Sequence, residues 1–336
     1  MRTLRLGTRR SQLAVTQSTL VAEMLRAQGH IVELVEIVSD GDRTQATNTP
    51  LTSSSSTGVF VSALREALHA KEIDLAVHSL KDLPTYPEQG IELAAILPRE
   101  DPRDVVVARD GLTLGELPPG SRVGTGSPRR VSQLKALGLG LQIDGIRGNI
   151  DSRIGKVRSG EFDAIVIARA GLARIDRLDE ATEVLDPIQV LPAPGQGALA
   201  VECREGDADA DVLKILTTLD DAPTRAVVEA ERAVLATLEG GCAAPIGTLA
   251  DVVEGEEGPE LWVRAVALSL DGSLSVRLSA SGPLDDAAGV GRRLAEEMLA
   301  EGAADLTDAP AEPGQAVMDT GGSPQTAPEQ DKVHNA

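Results

Sequence analysis

Two places in the sequence set reactive side chains on backbone able to present them. In Leu238-Glu239-Gly240-Gly241-Cys242-Ala243-Ala244-Pro245 a glycine pair stops a helical pattern and Pro245 prevents its resumption, which leaves the Cys242 thiol on a loop. A thiolate so placed is a nucleophile; a small buried hydrophobe is the plainer reading of one isolated cysteine. In Ser79-Leu80-Lys81-Asp82-Leu83-Pro84 an ammonium and a carboxylate follow directly on an apolar run. At the carboxyl end of a strand, such a pair lies where open α/β sheets place their ligands. Exposed, it is a solvated ion pair of little consequence.

Arginine supplies the rest of the chemistry. Six of the 32 basic residues are lysines and the other 26 are arginines, whose planar forks hold carboxylates and phosphates. Compositional bias accounts for the total but not for the placement. Gly7-Thr8-Arg9-Arg10-Ser11 and Val123-Gly124-Thr125-Gly126-Ser127-Pro128-Arg129-Arg130 each set two guanidinium groups and a serine between a strand and a helix. Unpaired amides and the helix dipole favour an anion at such a point, although Ser11 reads equally well as a helix cap alone. Arg147, Arg153, Arg169 and Arg174 fall at later turns or helix starts. Positive charge gathered in a chain of net charge −20 suits a ligand with several carboxylates or phosphates.

The apolar pattern gives these residues a scaffold. Leu4 and Leu6 alternate as in a strand, then Leu13, Gln17, Leu20, Val21, Met24 and Leu25 take helical spacing. A second strand is predicted over 31–38, a polar lid over 39–58, a helix over 60–71 and a buried strand over 73–78. After a break at 97–102 the order repeats, with a strand and Gly-Thr turn near 123–127, a helix over 150–159 and a strand over 162–168. A second break at 191–197 precedes an apolar strand over 198–202 that returns to the first lobe and ends at Cys203, read as a core thiol. Two crossings between lobes make a hinge beside a cleft.

From 220 the plan changes to a helix over 223–238, strands over 246–251, 261–268 and 274–280, and a helix over 285–301, with Asp271-Gly272 as a hairpin turn. The expected division is 1–97 with 198–216 as one α/β lobe, 103–191 as the other, 220–306 as an α+β domain, and 307–336 as a disordered tail. With four aromatic residues (Phe60, Tyr86, Phe162, Trp262) the cores must be aliphatic. The acidic balance argues against nucleic acid or an anionic membrane as partner. No run of about 18 apolar residues suggests a membrane span. The polar start at Thr8-Arg9-Arg10 suggests a cytoplasmic protein. Two cysteines give no disulfide framework, no metal-ligand spacing occurs, and His30, His69 and His78 read as structural.

Several motifs together resemble the porphobilinogen deaminase, or hydroxymethylbilane synthase, family over roughly residues 3–305. They are Thr8-Arg9-Arg10-Ser11-Gln12-Leu13-Ala14, Val77-His78-Ser79-Leu80-Lys81-Asp82-Leu83-Pro84, Arg99-Glu100-Asp101-Pro102-Arg103-Asp104, Val123 to Arg130, Arg147-Gly148-Asn149, Pro194-Gly195-Gln196-Gly197-Ala198 and Leu238 to Gly247. The resemblance implies an α/β fold of two doubly wound, periplasmic-binding-protein-like lobes with mixed sheets plus a small C-terminal α+β domain. It implies a transferase that condenses four porphobilinogen molecules head to tail, releases ammonia and hydrolyses off hydroxymethylbilane for tetrapyrrole and haem biosynthesis. The implied cofactor is dipyrromethane, joined covalently to Cys242 and held by Lys81, Asp82, Thr125, Ser127, Arg129 and Arg130. Asp82 is the implied catalytic residue; Arg9, Ser11, Arg147, Arg153, Arg174 and Gln196 are the implied binders of substrate carboxylates, with no metal and a monomeric state. Relatives often carry lysine at Ser53 and Thr57 and leucine at Pro128. The competing class, a non-catalytic bilobal binder of a polyanion, follows from the repeated lobes alone but leaves the loop thiol and third domain unused. A cysteine hydrolase lacks a histidine placed near Cys242.

Overall fold

The computed structural model describes residues 2–38, 56–238, 245–255 and 258–307. Cys242 and the tail beyond Thr307 lie outside the described residues, as does the expected lid except for its last three positions. β1 (Thr3–Thr8), α1 (Gln12–Ala27), β2 (Ile31–Glu36), α2 (Ser56–His69), β3 (Leu75–Ser79) and β4 (Ile91–Ile96) come first. Next are β5 (Asp104–Ala108), β6 (Arg122–Gly124), α3 (Pro128–Ala136), β7 (Gln142–Asp144), α4 (Ile150–Arg158), β8 (Ala164–Ala168), α5 (Arg169–Arg174) and β9 (Glu183–Val184). β10 (Leu199–Arg204) and α6 (Ala210–Leu216) close the α/β part.

The first sheet has the order β2-β1-β3-β10-β4 and the second β7-β6-β8-β5-β9. In each, three strands run parallel and the fourth lies antiparallel to both of its neighbours. The chain is therefore α/β with two mixed, doubly wound sheets of matching order. Central strands are buried along their length, as parallel strands covered on two faces must be: Leu75 to Val77 and Ala164 to Ile167 are all interior. The sequence reading names neither β4 nor β5, because the breaker between them obscures two short runs. It also starts α2 too late. Ser56, Thr57 and Gly58 read as loop, yet a first helical turn accepts such residues because its N–H groups have no helical partner in any case.

α7 (Ala222–Thr237), β11 (Ile246–Gly255), β12 (Gly258–Leu268), β13 (Ser275–Pro283), α8 (Ala287–Ala300) and α9 (Ala303–Thr307) form a smaller α+β unit with an antiparallel β11-β12-β13 sheet. Leu261, Val263, Ala265 and Ala267 alternate toward Val228, Val234, Leu294 and Met298 on its helices. The cores are aliphatic: of the three aromatic side chains described, Phe162 is buried while Trp262 and Tyr86 are 39% and 67% exposed. The turn at Asp271-Gly272 forms as expected, with Gly272 at φ +74°. A Cβ at Gly272 would collide with the Ser132 carbonyl of α3, so the hairpin tip rests directly on the second lobe.

Two crossings join the lobes and run side by side, with Leu97 N donating to Leu199 O at 3.0 Å and Glu100 N to Gly197 O at 3.2 Å. Glu231 of α7, fully buried, ties both to the third unit. It accepts from Arg99 Nη1 and Nη2 at 2.7 and 3.0 Å, from Gly195 N at 2.7 Å and from Ala250 N at 2.9 Å. A buried carboxylate is tolerated only when so fully paired.

Candidate active site

Helix starts and strand ends place the predicted residues. Ser11 caps α1, its Oγ accepting from Ala14 N at 3.4 Å, and Arg9 is half-buried in the turn before it. Arg10 turns away, exposed, with Nε donating to Glu36 Oε1 at 2.9 Å. Pro128 takes the first position of α3 and Ser127 caps it, accepting from Arg130 N at 3.5 Å. Thr125 is buried, and its Oγ1 accepts from Ser127 N at 3.3 Å. Pro128 at this position leaves the cap intact.

Lys81 and Asp82 sit half-buried on one 3₁₀ turn that leaves the carboxyl end of β3, where open α/β sheets carry their ligands. Burial pushes the Asp82 carboxyl above its ordinary range, against the opposing charges of Lys81, Arg9 and His78. Burial pushes the Lys81 ammonium down to about 8, with Asp82 opposing. Neither side chain is fully exposed, so the pair is not a freely solvated one. A carboxyl that accepts a proton more readily than usual suits proton transfer.

Lys81 Nζ donates to Gln196 Oε1 at 3.3 Å, and Gln196 Nε2 donates to Asp104 Oδ1 at 2.7 Å. Asp104, 0% exposed, also accepts from Arg130 Nη2 and Arg129 Nη2, each at 2.8 Å. Arg129 Nη1 donates to Leu191 O at 2.5 Å and Arg130 Nη1 to Val166 O at 3.2 Å. Lys81, Gln196, Arg129 and Arg130 are thus one connected group across the two lobes, with Asp104 at its centre. Burial alone would raise the Asp104 carboxyl, but Arg129 and Arg130 hold it far below the usual carboxylate range. Asp104 lies within a motif noted in the sequence, yet its part was missed. The available signal was an acid opening the apolar run Val105-Val106-Val107.

Arg153 and Arg174 are half-buried beside this group. Arg153 Nε donates to Gly148 O at 2.8 Å, and burial, then the charge of Arg130, lowers its proton affinity. Arg174 Nη2 donates to Gly197 O at 2.5 Å, and burial lowers it against the pull of Glu100. Arg169 instead anchors the crossing, 3.2 Å from Glu100 Oε1 and 3.4 Å from Asp101 Oδ2. Arg147 is exposed before α4, and no described hydrogen bond of its side chain joins it to the group. Within β3, His78 Nε2 lies 3.2 Å from Glu202 Oε2, and Arg65 Nη2 donates to Glu202 Oε1 at 2.7 Å.

Arg129 and Arg130 are 3% and 6% exposed, and the Nε of each is buried without an acceptor. Orphaned cationic donors in a dry site await an anion, which fits carboxylates of a dipyrromethane. Of the two cysteines, Cys203 is sealed inside β10 with its thiol pushed up to about 11 by burial, and Cys242 lies outside the described residues. Pro245 and Ile246 bring the chain back, and at Gly247 it lies against Leu191 and Gln133 of α3, one turn from Arg129. Among the described residues, no helix is long and apolar enough to cross a membrane.

Residues 4–212 match the model of the porphobilinogen deaminase dipyrromethane cofactor-binding domain, and residues 226–300 that of the porphobilinogen deaminase C-terminal domain. Porphobilinogen deaminase of Mycobacterium tuberculosis strain H37Rv is 56% identical over 308 residues, covering 90% of this chain and 98% of its own. That of Mycobacterium marinum is 54% identical over 308 residues, covering 90% and 96%. A putative methionine-binding lipoprotein of Bacillus subtilis overlaps 65% of this chain and 89% of its own at 12% identity, with a TM-score of 0.40. Two matched domains and more than half identity along nearly the whole length establish that the chain belongs to the porphobilinogen deaminase family.

Proposed function

We propose that this chain, a transferase by its family, joins four porphobilinogen molecules head to tail, releases ammonia at each addition and frees hydroxymethylbilane with water. The observation that carries the reading is the half-buried Lys81–Asp82 pair linked through Gln196 to the buried guanidinium groups of Arg129 and Arg130. Each porphobilinogen brings an acetate and a propionate, so the growing product is a polyanion that forked cations retain. Dipyrromethane, attached in this family through a cysteine, supplies when bound the nucleophilic pyrrole carbon on which the chain starts.

Lys81, Thr125, Ser127, Arg129 and Arg130 hold carboxylates of that group, and Arg9, Ser11, Arg147, Arg153, Arg174 and Gln196 hold those of the substrate. Asp82 does the chemistry. Its carboxyl, with proton affinity raised by burial, delivers a proton to the departing amine; ionised, it stabilises the positive charge left on the substrate pyrrole and then takes up the proton lost on bond formation. The attachment point is Cys242. Supporting this, Cys203 is buried and poorly ionised, and a thiolate is required for attachment.

The sheet orders support a division into 1–97 with 198–216, 103–191 and 220–306, the third part bearing the attachment loop. A monomer in the cytoplasm fits the strongly acidic net charge, which favours solubility and disfavours self-association. Intact-mass measurement tests the reading. The purified protein is expected to exceed its sequence mass by two linked pyrrole units, and Cys242→Ala to lose both the excess and turnover. Unmodified protein with full activity overturns it.

A further inference from the structure

The three cations gathered at the site need an explanation. Lys81, Arg129 and Arg130 are gathered from both lobes around Gln196 and Asp104, and like charges so close and so dry repel strongly. A ligand carboxylate relieves that repulsion only after it binds, so the fold requires a carboxylate of its own. Asp104 meets the requirement. Its Oδ2 serves Arg129, its Oδ1 serves Arg130 and Gln196, and none of its surface reaches solvent. Gln196 completes the link, since its Nε2 also donates to Pro102 O at 2.6 Å, which orients its Oε1 toward Lys81 Nζ and Arg130 Nη2 at 3.3 and 3.4 Å.

We propose that Asp104 is a positioning residue of this active site, a resident carboxylate that holds the Arg129 and Arg130 forks in place for the cofactor and, through Gln196, holds the Lys81 amine beside Asp82. The proposal rests on the function argued above and adds to it a residue that touches neither substrate nor cofactor. Asp104 engages only the Nη2 of each arginine and leaves both Nε donors unfilled, so the cradle is aligned without being saturated. Preorganisation of this kind lowers the cost of binding because the cations do not have to be reoriented or desolvated when the ligand arrives. It also places the control of Lys81 at the start of β5, where the first crossing enters the second lobe.

The consequence appears in pH dependence. Lys81 faces Asp82 on its own turn, Arg129 and Arg130 on α3, and Asp104 on β5; Asp82 in turn faces Arg9 and His78. Burial, Arg130 and Arg129 all favour loss of the Lys81 proton, and Asp82 and Asp104 oppose it. Removing the charge at 104 therefore makes Lys81 lose its proton at lower pH.

The experiment compares wild-type protein with Asp104→Asn and Asp104→Glu, each expressed with its cofactor. It reads intact mass, thermal unfolding, and kcat and KM from pH 6 to pH 10. Asp104→Asn is expected to carry cofactor on a reduced fraction of molecules, to raise KM about tenfold or more, and to move the alkaline limb of kcat to lower pH by about half a unit or more. Asp104→Glu, which restores the charge, should return the limb toward its wild-type position even where kcat stays low. If Asp104→Asn does not fold, Gln196→Met, which cuts the link to Lys81 and leaves the arginine pair with Asp104, must shift the limb in the same direction. An Asp104→Asn profile superimposable on wild type after scaling, or a limb unmoved in Gln196→Met, overturns the proposal. Wild-type protein with neither added mass nor turnover would instead overturn the function on which it rests.

Discussion

Replacing Glu231 by glutamine tests whether one carboxylate joins the two crossings to the third unit. Glu231 is enclosed and accepts four hydrogen bonds, two from Arg99, one from Gly195 N and one from Ala250 N. Glutamine preserves the shape but turns one acceptor into a donor that faces another donor, and it leaves the Arg99 guanidinium buried without a counter-charge. Breaking a buried pair in this way costs about 3–5 kcal/mol. At about 2–4 °C per kcal/mol for a chain of more than 150 residues, the midpoint should fall by about 6–20 °C. The assay is thermal unfolding followed by circular dichroism, run as a double-mutant cycle with Arg99→Met. Because Arg99→Met removes the charge that Glu231→Gln strands, the double variant should recover about 1–3 kcal/mol relative to the sum of the single effects. A midpoint within about 2 °C of wild type for Glu231→Gln, or costs that simply add, refutes the reasoning.

Asp82→Asn should fold and retain its added mass while kcat drops by about 10³-fold or more, since the amide neither delivers nor accepts the proton; single-turnover kinetics at wild-type rate would remove Asp82 from the chemistry. Asp74 gives a prediction about acid. Burial alone would raise its carboxyl, but Arg5 at 2.9 Å, Arg204 at 3.1 Å and Arg2 at 2.7 Å hold it well below the usual range. Its folded proton affinity is the lower one, so the stabilisation is complete above the ordinary value of about 4 and drains away as pH falls below it. Asp74→Asn should cost about 3–5 kcal/mol at neutral pH, and urea midpoints of variant and wild type should converge on acidification; a constant gap would contradict the assignment.

What the sequence revealed is local in origin. Ser127 with Pro128, Asp271 with Gly272, and the run from Ala164 to Ala168 each declare their structure within a few residues, through cap, turn and burial chemistry. Lys81 and Asp82 were legible as a charged pair at the end of a strand, but not as a half-buried one. Asp104 and Glu231 were not legible as functional or clamping groups. Their partners lie far along the chain, Arg129 and Arg130 for one and Arg99 and Gly195 for the other. A glutamate inside an amphipathic helix looks like a solvent-facing charge until the opposing elements are in place. The same distance effect hid β5, whose pairing with β8 and β9 supplies what its five residues cannot signal alone.

The strand order of the first sheet carries a consequence for synthesis. β3 finds its fourth-strand neighbour only when Leu199 to Cys203 arrive to pair with Ser79 to Leu75. The amino-terminal lobe must therefore wait on the ribosome as an unfinished sheet with an open edge, while residues 104–184 contain every strand of the other sheet and complete it first. Pairings this remote are slow to close and leave apolar edges exposed meanwhile. The nascent chain thus emerges with its central lobe folding ahead of the one that begins it, and chaperone demand should peak before β10 clears the exit tunnel.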